Sequence, residues 1–183
     1  MSEKKVGIIL GSIRTGSSSK IIATAMKELF PANYVVEEVS IGHLPLYNPD
    51  LDTPQGAPDA YTDFREKIKE YDGILFITPE HNRSLPAALK NALDIGSRPF
   101  GKSVWNQKTA LIVSQATGAI GGFGANHHLR QVLTFLNIQP VQQPELYLGM
   151  VNKYIENGKI ANQDTLALLQ KGVDAFIALM ERN

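Results

Sequence analysis

A chain of 183 residues with 43% hydrophobic and 20% charged residues can bury a real core, and its length fits one domain over residues 1–183. Eighteen Lys plus Arg balance eighteen Asp plus Glu, with no basic run or tail, which argues against nucleic acid as a partner. The absence of cysteine excludes disulfides, thiolate metal sites, iron–sulfur clusters and a catalytic thiol, so any redox chemistry belongs to a bound cofactor.

No apolar stretch approaches the length of a membrane span, and the apolar run of the amino-terminal MSEKKVGIIL is too short for a signal peptide. A cytoplasmic protein without a membrane partner is the expectation. The first strand is KVGIIL (5–10), a continuous apolar run ending at Gly11. A helix follows, with Ile21, Ile22, Ala25, Met26 and Leu29 at helical spacing and Pro31 beyond its end. YVVEEV (34–39) is a second, more polar strand. Residues 43–58 form a Pro-rich loop long enough to carry a functional or interface role.

Phe64, Ile68 and Tyr71 mark the next helix, and GILFIT (73–78) is an almost purely apolar third strand stopped by Pro79. Ser84 and Pro86 open a helix that runs to about Ile95. TALIVS (109–114) is the fourth strand, followed by a glycine-rich turn (118–124) and a helix bearing Leu129, Val132, Leu133 and Leu136. A short fifth strand lies near 139–148, and Leu166, Leu169, Val173, Phe176, Ile177 and Met180 mark the last helix. Alternating strands and helices with apolar strands imply an α/β three-layer sandwich: a five-stranded parallel sheet with helices on both faces. Five strands suit the flavodoxin-like order 2-1-3-4-5.

In such a sheet ligands bind beyond the carboxyl ends of the strands, where the strand order reverses. For this order three loops converge there: 11–19, 79–84 and 114–124. In GSIRTGSSSK (11–20), Gly11 permits a tight turn, and Ser12, Thr15, Ser17, Ser18 and Ser19 offer hydroxyls beside a helix amino terminus. Arg14 adds a planar cation suited to phosphate. A lone helix cap needs fewer hydroxyls and no arginine, so the loop reads as an anion site. The pattern G-x-x-x-x-G-K-[ST] fits Gly11 and Gly16 but meets Ser17 where lysine belongs, and no Walker-B acidic residue follows. One phosphomonoester, such as that of FMN, fits better than a triphosphate.

The second loop, PEHNRSLP, presents Glu80 and Asn82 directly after a buried strand. In the third, Gly118, Gly121, Gly122 and Gly124 either let backbone approach a flat ring or serve as turn residues; composition leaves the two readings level. His127 and His128 diverge by about 100° around their helix and cannot share a metal. Asp50 and Asp52 have only His43 nearby, no Ser-His-Asp set stands out, and neither a metal nor a general base is assigned.

GSIRTGSSSK, PEHNRSLPAALKNALDIGSRP and SQATGAIGGFGANHHLRQVL together resemble the NAD(P)H-dependent FMN reductase family, which includes quinone, chromate and azo-dye reductases. The resemblance covers nearly the whole chain and is weakest after about residue 145. It implies that Ser12, Arg14, Ser17 and Ser19 hold the FMN phosphate. Pro79, Glu80, His81 and Asn82 would line the ribityl chain and ring, with Ser114 and Gly118 approaching from the fourth strand. It further implies a homodimer or homotetramer, with the loop near Tyr47–Asp52 roofing the neighbouring subunit's flavin. His81 stands where the family more often has tyrosine. Gly124 and His127 stand where several quinone-reducing relatives have arginine and tyrosine. The expected activity is ping-pong oxidoreduction from NADPH or NADH through FMN to a quinone or similar small acceptor. Its rival is a flavodoxin-like electron carrier, a group typically acidic where this chain is neutral.

Overall fold

The computed structural model describes residues 3–182; Met1, Ser2 and Asn183 lie outside it. Among the described residues five α-helices surround a parallel sheet. The strands β1 (Lys4–Leu10), β2 (Tyr34–Val39), β3 (Gly73–Pro79), β4 (Thr109–Gln115) and β5 (Gln139–Pro140) lie in the order β2-β1-β3-β4-β5. A sixth short strand, β6 (Leu146–Leu148), pairs with the far end of β4. The fifth strand expected near 139–148 is therefore split: its first piece pairs with Thr109 and Ala110, its second with Val113–Gln115. Pro140 and Pro144 have no N–H to give a ladder, which accounts for the interruption. An antiparallel hairpin, β7 (Ile155–Glu156) and β8 (Lys159–Ile160), lies outside the sheet and had no clear pattern in the sequence.

Strand alternation sorts the core into two layers. Val6, Ile8 and Leu10 of β1, with Leu75 and Ile77 of β3, face α1 (Ser18–Lys27) and α5 (Gln163–Met180), which bring Ile22, Met26, Val173 and Phe176. Ile9, Ile74, Phe76 and Ile112 face the opposite layer, α2 (Asp59–Lys69), α3 (Ala87–Gly96) and α4 (Phe123–Phe135), where Phe64, Leu93 and Trp105 are buried. Trp105 donates its indole N–H to the Leu93 carbonyl at 2.9 Å, so the largest core side chain keeps no unpaired polar atom. On the same layer Gly7 leaves room for the Tyr71 ring, since a Cβ there would lie 2.8 Å from Tyr71 Cδ2.

The Pro-rich loop is not loosely held. Asn91 of α3 accepts from the Tyr47 N–H at 2.8 Å and donates to the Pro45 carbonyl at 3.0 Å. Tyr61 of α2 donates to the Leu46 carbonyl at 2.6 Å. Arg65 forks onto Asp52 with bonds of 3.0 and 2.5 Å and also donates to the Ile95 carbonyl. The side chains of this pair are 9% and 3% exposed, so removing one partner strands a buried charge. Asp52 is thereby committed to a structural ion pair, away from any role beside His43.

We expect Asp52→Ala to cost about 3–5 kcal/mol in denaturant unfolding, with the double variant Asp52→Leu/Arg65→Met losing much less. Equal losses in the two would contradict the stranded-charge account. A second outcome concerns alkali. Burial, then the hydrogen bond to Glu37, pushes the Tyr71 phenol up from 10.0 to about 12. The folded state therefore prefers the neutral phenol: the stabilisation is complete below pH 10 and is lost as pH rises from 10 toward 12. Denaturation midpoints should fall less steeply over that interval in Tyr71→Phe.

Candidate functional site

Three loops meet at the carboxyl edge, where β3 and β4 end level and β1 ends two residues short of them. Leu10 is registered with Ile77, and Pro79 with Gln115. Gly11 donates its N–H to the Ile77 carbonyl at 2.9 Å, and a Cβ on it would lie 2.5 Å from Thr78 Oγ1. Only glycine lets the first loop lie this close to the end of β3.

The first loop arranges donors as its composition suggested. Ser17 is the N-cap of α1, its Oγ accepting from the Lys20 N–H at 3.4 Å. Ser12 Oγ accepts from the Arg14 N–H at 3.4 Å. The N–H groups of Ser18 and Ser19 belong to the first helical turn and have no acceptor within the helix. Ser19 is fully buried, and Gln115 Nε2 donates to its Oγ at 3.4 Å. Arg14 is exposed, and among the described residues no carboxylate pairs with its guanidinium.

In the second loop His81 and Ser84 exchange two backbone hydrogen bonds of 2.9 Å across Asn82 and Arg83. Both central residues have positive φ, 48° and 65°, which is the tight hairpin turn whose twist matches its flanking strands. Ser84 thus belongs to this hairpin instead of opening α3; its Oγ meets His128 Nδ1 at 3.0 Å, and Pro86 precedes the helix. The turn presents His81 and Asn82 to solvent, and neither side chain has a partner among the described residues.

Glu80 has the most constrained side chain of this loop, 12% exposed. One carboxylate oxygen accepts from the Ala125 N–H at 3.1 Å, the other from Arg83 Nη1 at 3.3 Å. The cap position of α4 is Gly122, which has no side chain, so a carboxylate from the neighbouring loop supplies the missing cap and suits the positive end of the helix. Gly124 makes room for this clasp: a Cβ there would lie 2.7 Å from the Arg83 carbonyl oxygen and 2.9 Å from Glu80 Oε2.

In the third loop the two readings of the glycines separate by position. Gly121 and Gly122 have positive φ, and a Cβ on either would press on the Tyr147 or Gln115 backbone. Gly118 is open-faced, with nothing within 4 Å of its Cβ position. Ser114 is fully buried; its Oγ donates to the Gly121 carbonyl at 2.8 Å and accepts from Asn126 Nδ2 at 3.3 Å. The structure therefore places Ser114 under the turn, where it sets the course of residues 118–122. Beside it Phe123, His127 and Tyr147 cluster, with His127 Nε2 and the Tyr147 hydroxyl 3.1 Å apart. Burial, then the hydrogen bond to Glu145, pushes the Tyr147 phenol up to about 12. Among the described residues no group of three or more acidic or histidine side chains could hold a metal.

Gln115, Asn126 and Arg83 escaped sequence reasoning. The signal for Gln115 was present: an amide side chain closing an otherwise apolar strand. Asn126 and Arg83 act through tertiary contacts that no local pattern announces.

An exposed, unpaired arginine, free helical N–H groups and a hydroxyl-rich turn fit the doubly charged phosphate of FMN. The exposed stretches 81–83 and 117–120 leave the adjoining side open for a flat ring. The fold defines a flavodoxin-like protein whose serine-rich loop lies at its topological switch point. The sequence pattern of the NADPH-dependent FMN reductases matches residues 4–153, and the chain belongs to that family. It is 44% identical over 178 residues to a quinone reductase of Pseudomonas putida, covering 97% of this chain and 95% of that one. A 2-hydroxy-1,4-benzoquinone reductase of Burkholderia sp. is 41% identical over 175 residues, 95% of this chain and 94% of that one. The solved structure of FerB, a flavoenzyme NAD(P)H:(acceptor) oxidoreductase of Paracoccus denitrificans, superposes with a TM-score of 0.89 at 31% identity, covering 98% of both chains. No helix among the described residues is long and apolar enough to cross a membrane.

The Glu80 clasp gives a graded expectation. Glu80→Gln retains an acceptor for the Ala125 N–H and should lose less than about 1 kcal/mol, while Glu80→Ala removes the cap and should lose about 1–2 kcal/mol. Urea midpoints decide this, and equal losses would place the effect elsewhere.

Proposed function

We propose that this chain is an FMN-dependent NAD(P)H oxidoreductase that delivers reducing equivalents to a quinone or similar small acceptor, such as a flavin, azo dye or chromate. The observation that carries the reading is Arg14: an exposed cation with no acidic partner among the described residues, on a serine-rich loop at the amino end of α1. FMN, when bound, supplies the hydride-accepting and hydride-donating centre. The chain supplies position and charge. Ser12, Arg14, Ser17 and Ser19 are assigned to the phosphate, with Ser17 and Ser19 buried enough to fix hydroxyl direction.

Pro79, Glu80, His81 and Asn82 are assigned to the ribityl and ring side. Within that set Glu80 fixes the loop, while the free side chains of His81 and Asn82 face the ligand. Gly118 gives an open backbone surface, and Ser114 positions the turn that carries it. Donor and acceptor share one exposed approach past residues 81–83 and 117–120, which imposes alternating occupancy and ping-pong kinetics.

The same reading includes a homodimer or homotetramer. Its support is the tightly pinned loop around Tyr47–Asp52, which presents Leu46 and Leu51 to solvent at 78% and 52% exposure. It also places the protein, as one unit, in the cytoplasm, where its nicotinamide reductant resides.

The purified protein should bind FMN, and anaerobic NADPH or NADH should bleach the flavin absorbance without a partner reductase. Bound flavin that stays oxidised under NAD(P)H would instead identify an electron carrier. Arg14→Ala should raise the FMN dissociation constant about 10-fold to 100-fold, the loss of one charge-assisted contact. An unchanged titration would remove Arg14 from the phosphate site.

A further inference from the structure

A cleft of about 490 Å³ opens between residues 12–17 and the carboxyl end of β2. Neither the 79–84 loop nor the 114–124 loop contributes to its wall. It shares Ser12, Arg14 and Ser17 with the loop assigned to the flavin phosphate and extends from that loop toward β2, away from the ring side of the site.

Its lining is chemically sorted. Arg14 and Lys20 bring two cations to the side nearest α1. Glu38, on the face of β2 turned toward α1, lies 3.5 Å from Lys20 Nζ, and both side chains remain accessible. Ser40 adds a hydroxyl just beyond the end of the strand. Val39 and Ile41 are buried and give the cleft an apolar base, while Ile13 stands exposed as one wall. The volume lies in the range of sites for small organic ligands. In dinucleotide-binding sheets an acidic residue beyond the second strand accepts the ribose hydroxyls of an adenosine moiety. Glu38 stands at the same edge, with a phosphate loop beside it.

We propose that this cleft binds an adenosine phosphate arm. Arg14 and Lys20 face its phosphate, Glu38 and Ser40 accept and donate to the ribose hydroxyls, and the adenine rests on the base formed by Val39 and Ile41, against Ile13. Two ligands carry such an arm: FAD, through its AMP half, and NAD(P)H, through its ADP half. The inference rests on the reading of residues 12–19 as the flavin phosphate loop. FMN titration of the apoprotein tests that reading by itself, whether or not the cleft takes a nucleotide.

The test is calorimetric titration of FMN-loaded protein with 5′-AMP and ADP. Saturable one-to-one binding below about 1 mM is expected. Glu38→Ala should raise the AMP dissociation constant about tenfold, and Ser40→Trp, which fills the cleft, should abolish binding, while FMN affinity stays within about twofold in both. The source is then read in two arms. FAD binding about tenfold tighter than FMN, with the advantage lost in Ser40→Trp, assigns the arm to the flavin. Equal FAD and FMN affinities, with KM for NAD(P)H raised about tenfold in Ser40→Trp at unchanged kcat, assign it to the nicotinamide co-substrate. No saturable AMP binding, or binding indifferent to both substitutions, overturns the proposal. So does AMP binding that the variants abolish with neither FAD affinity nor KM altered.

Discussion

The approach of Gly11 to Thr78 governs where the rest of the site can be. A parallel sheet brings the carboxyl ends of β1, β3 and β4 to one edge, but a shared edge alone does not bring loops into contact. The Gly11 N–H bonds the Ile77 carbonyl and the missing Cβ removes the one atom that would collide with Thr78. That closeness starts the hydroxyl-rich loop at the edge of β3. From there it turns into α1 with its free N–H groups toward the switch point. A longer excursion would separate Arg14 from the loops after β3 and β4, and no single ligand could then span the three.

Two further clasps hold the edges of this arrangement, and they use charge differently. Glu80 is set at the amino end of α4, where the helix dipole and the Ala125 N–H favour a carboxylate. It joins the second loop to the third while leaving His81 and Asn82 free. Asp52 and Arg65 form a buried pair whose net worth relative to apolar residues is small, because desolvation offsets attraction. What the pair contributes is definition: it fixes one course for a Pro-rich loop whose local order is limited to a short turn at Pro49–Leu51 and a bridge between Thr53 and Gly56. A loop so fixed can present Leu46 and Leu51 in one place, which a mobile loop cannot.

The layer architecture and strand order were readable because buried parallel strands are written as uninterrupted apolar runs. KVGIIL, GILFIT and TALIVS correspond to β1, β3 and β4 within a residue or two. The edge was harder: two prolines split the fifth strand, and the pattern of residues 139–148 could not show that β6 would rejoin β4 further along. Local chemistry also marked the serine-rich loop, since the hydroxyls and the arginine beside the start of α1 are visible in sequence. The role of Ser114 was not readable in the same way. A serine at a strand end looks alike whether its hydroxyl meets a ligand or a turn carbonyl, and only the placement of Gly121 decides it. Glu80 raised the same difficulty, because its partner Ala125 is 45 residues away.

The serine that replaces the P-loop lysine has a physical role of its own. A lysine at position 17 would have to give up the N-cap, because its side chain has no acceptor for the Lys20 N–H. Ser17 keeps the cap and stays almost wholly buried, and under the proposed function the charge of an anion would be met by Arg14 from outside the helix. That division separates two functions which a lysine would merge: ordering the helix start and neutralising the ligand. It also keeps the cation at the loop surface, between the ring side of the site and the cleft toward β2. A planar, exposed guanidinium in that position can face anions on either side of the loop. An ammonium at position 17, anchored in the helix start, would address one.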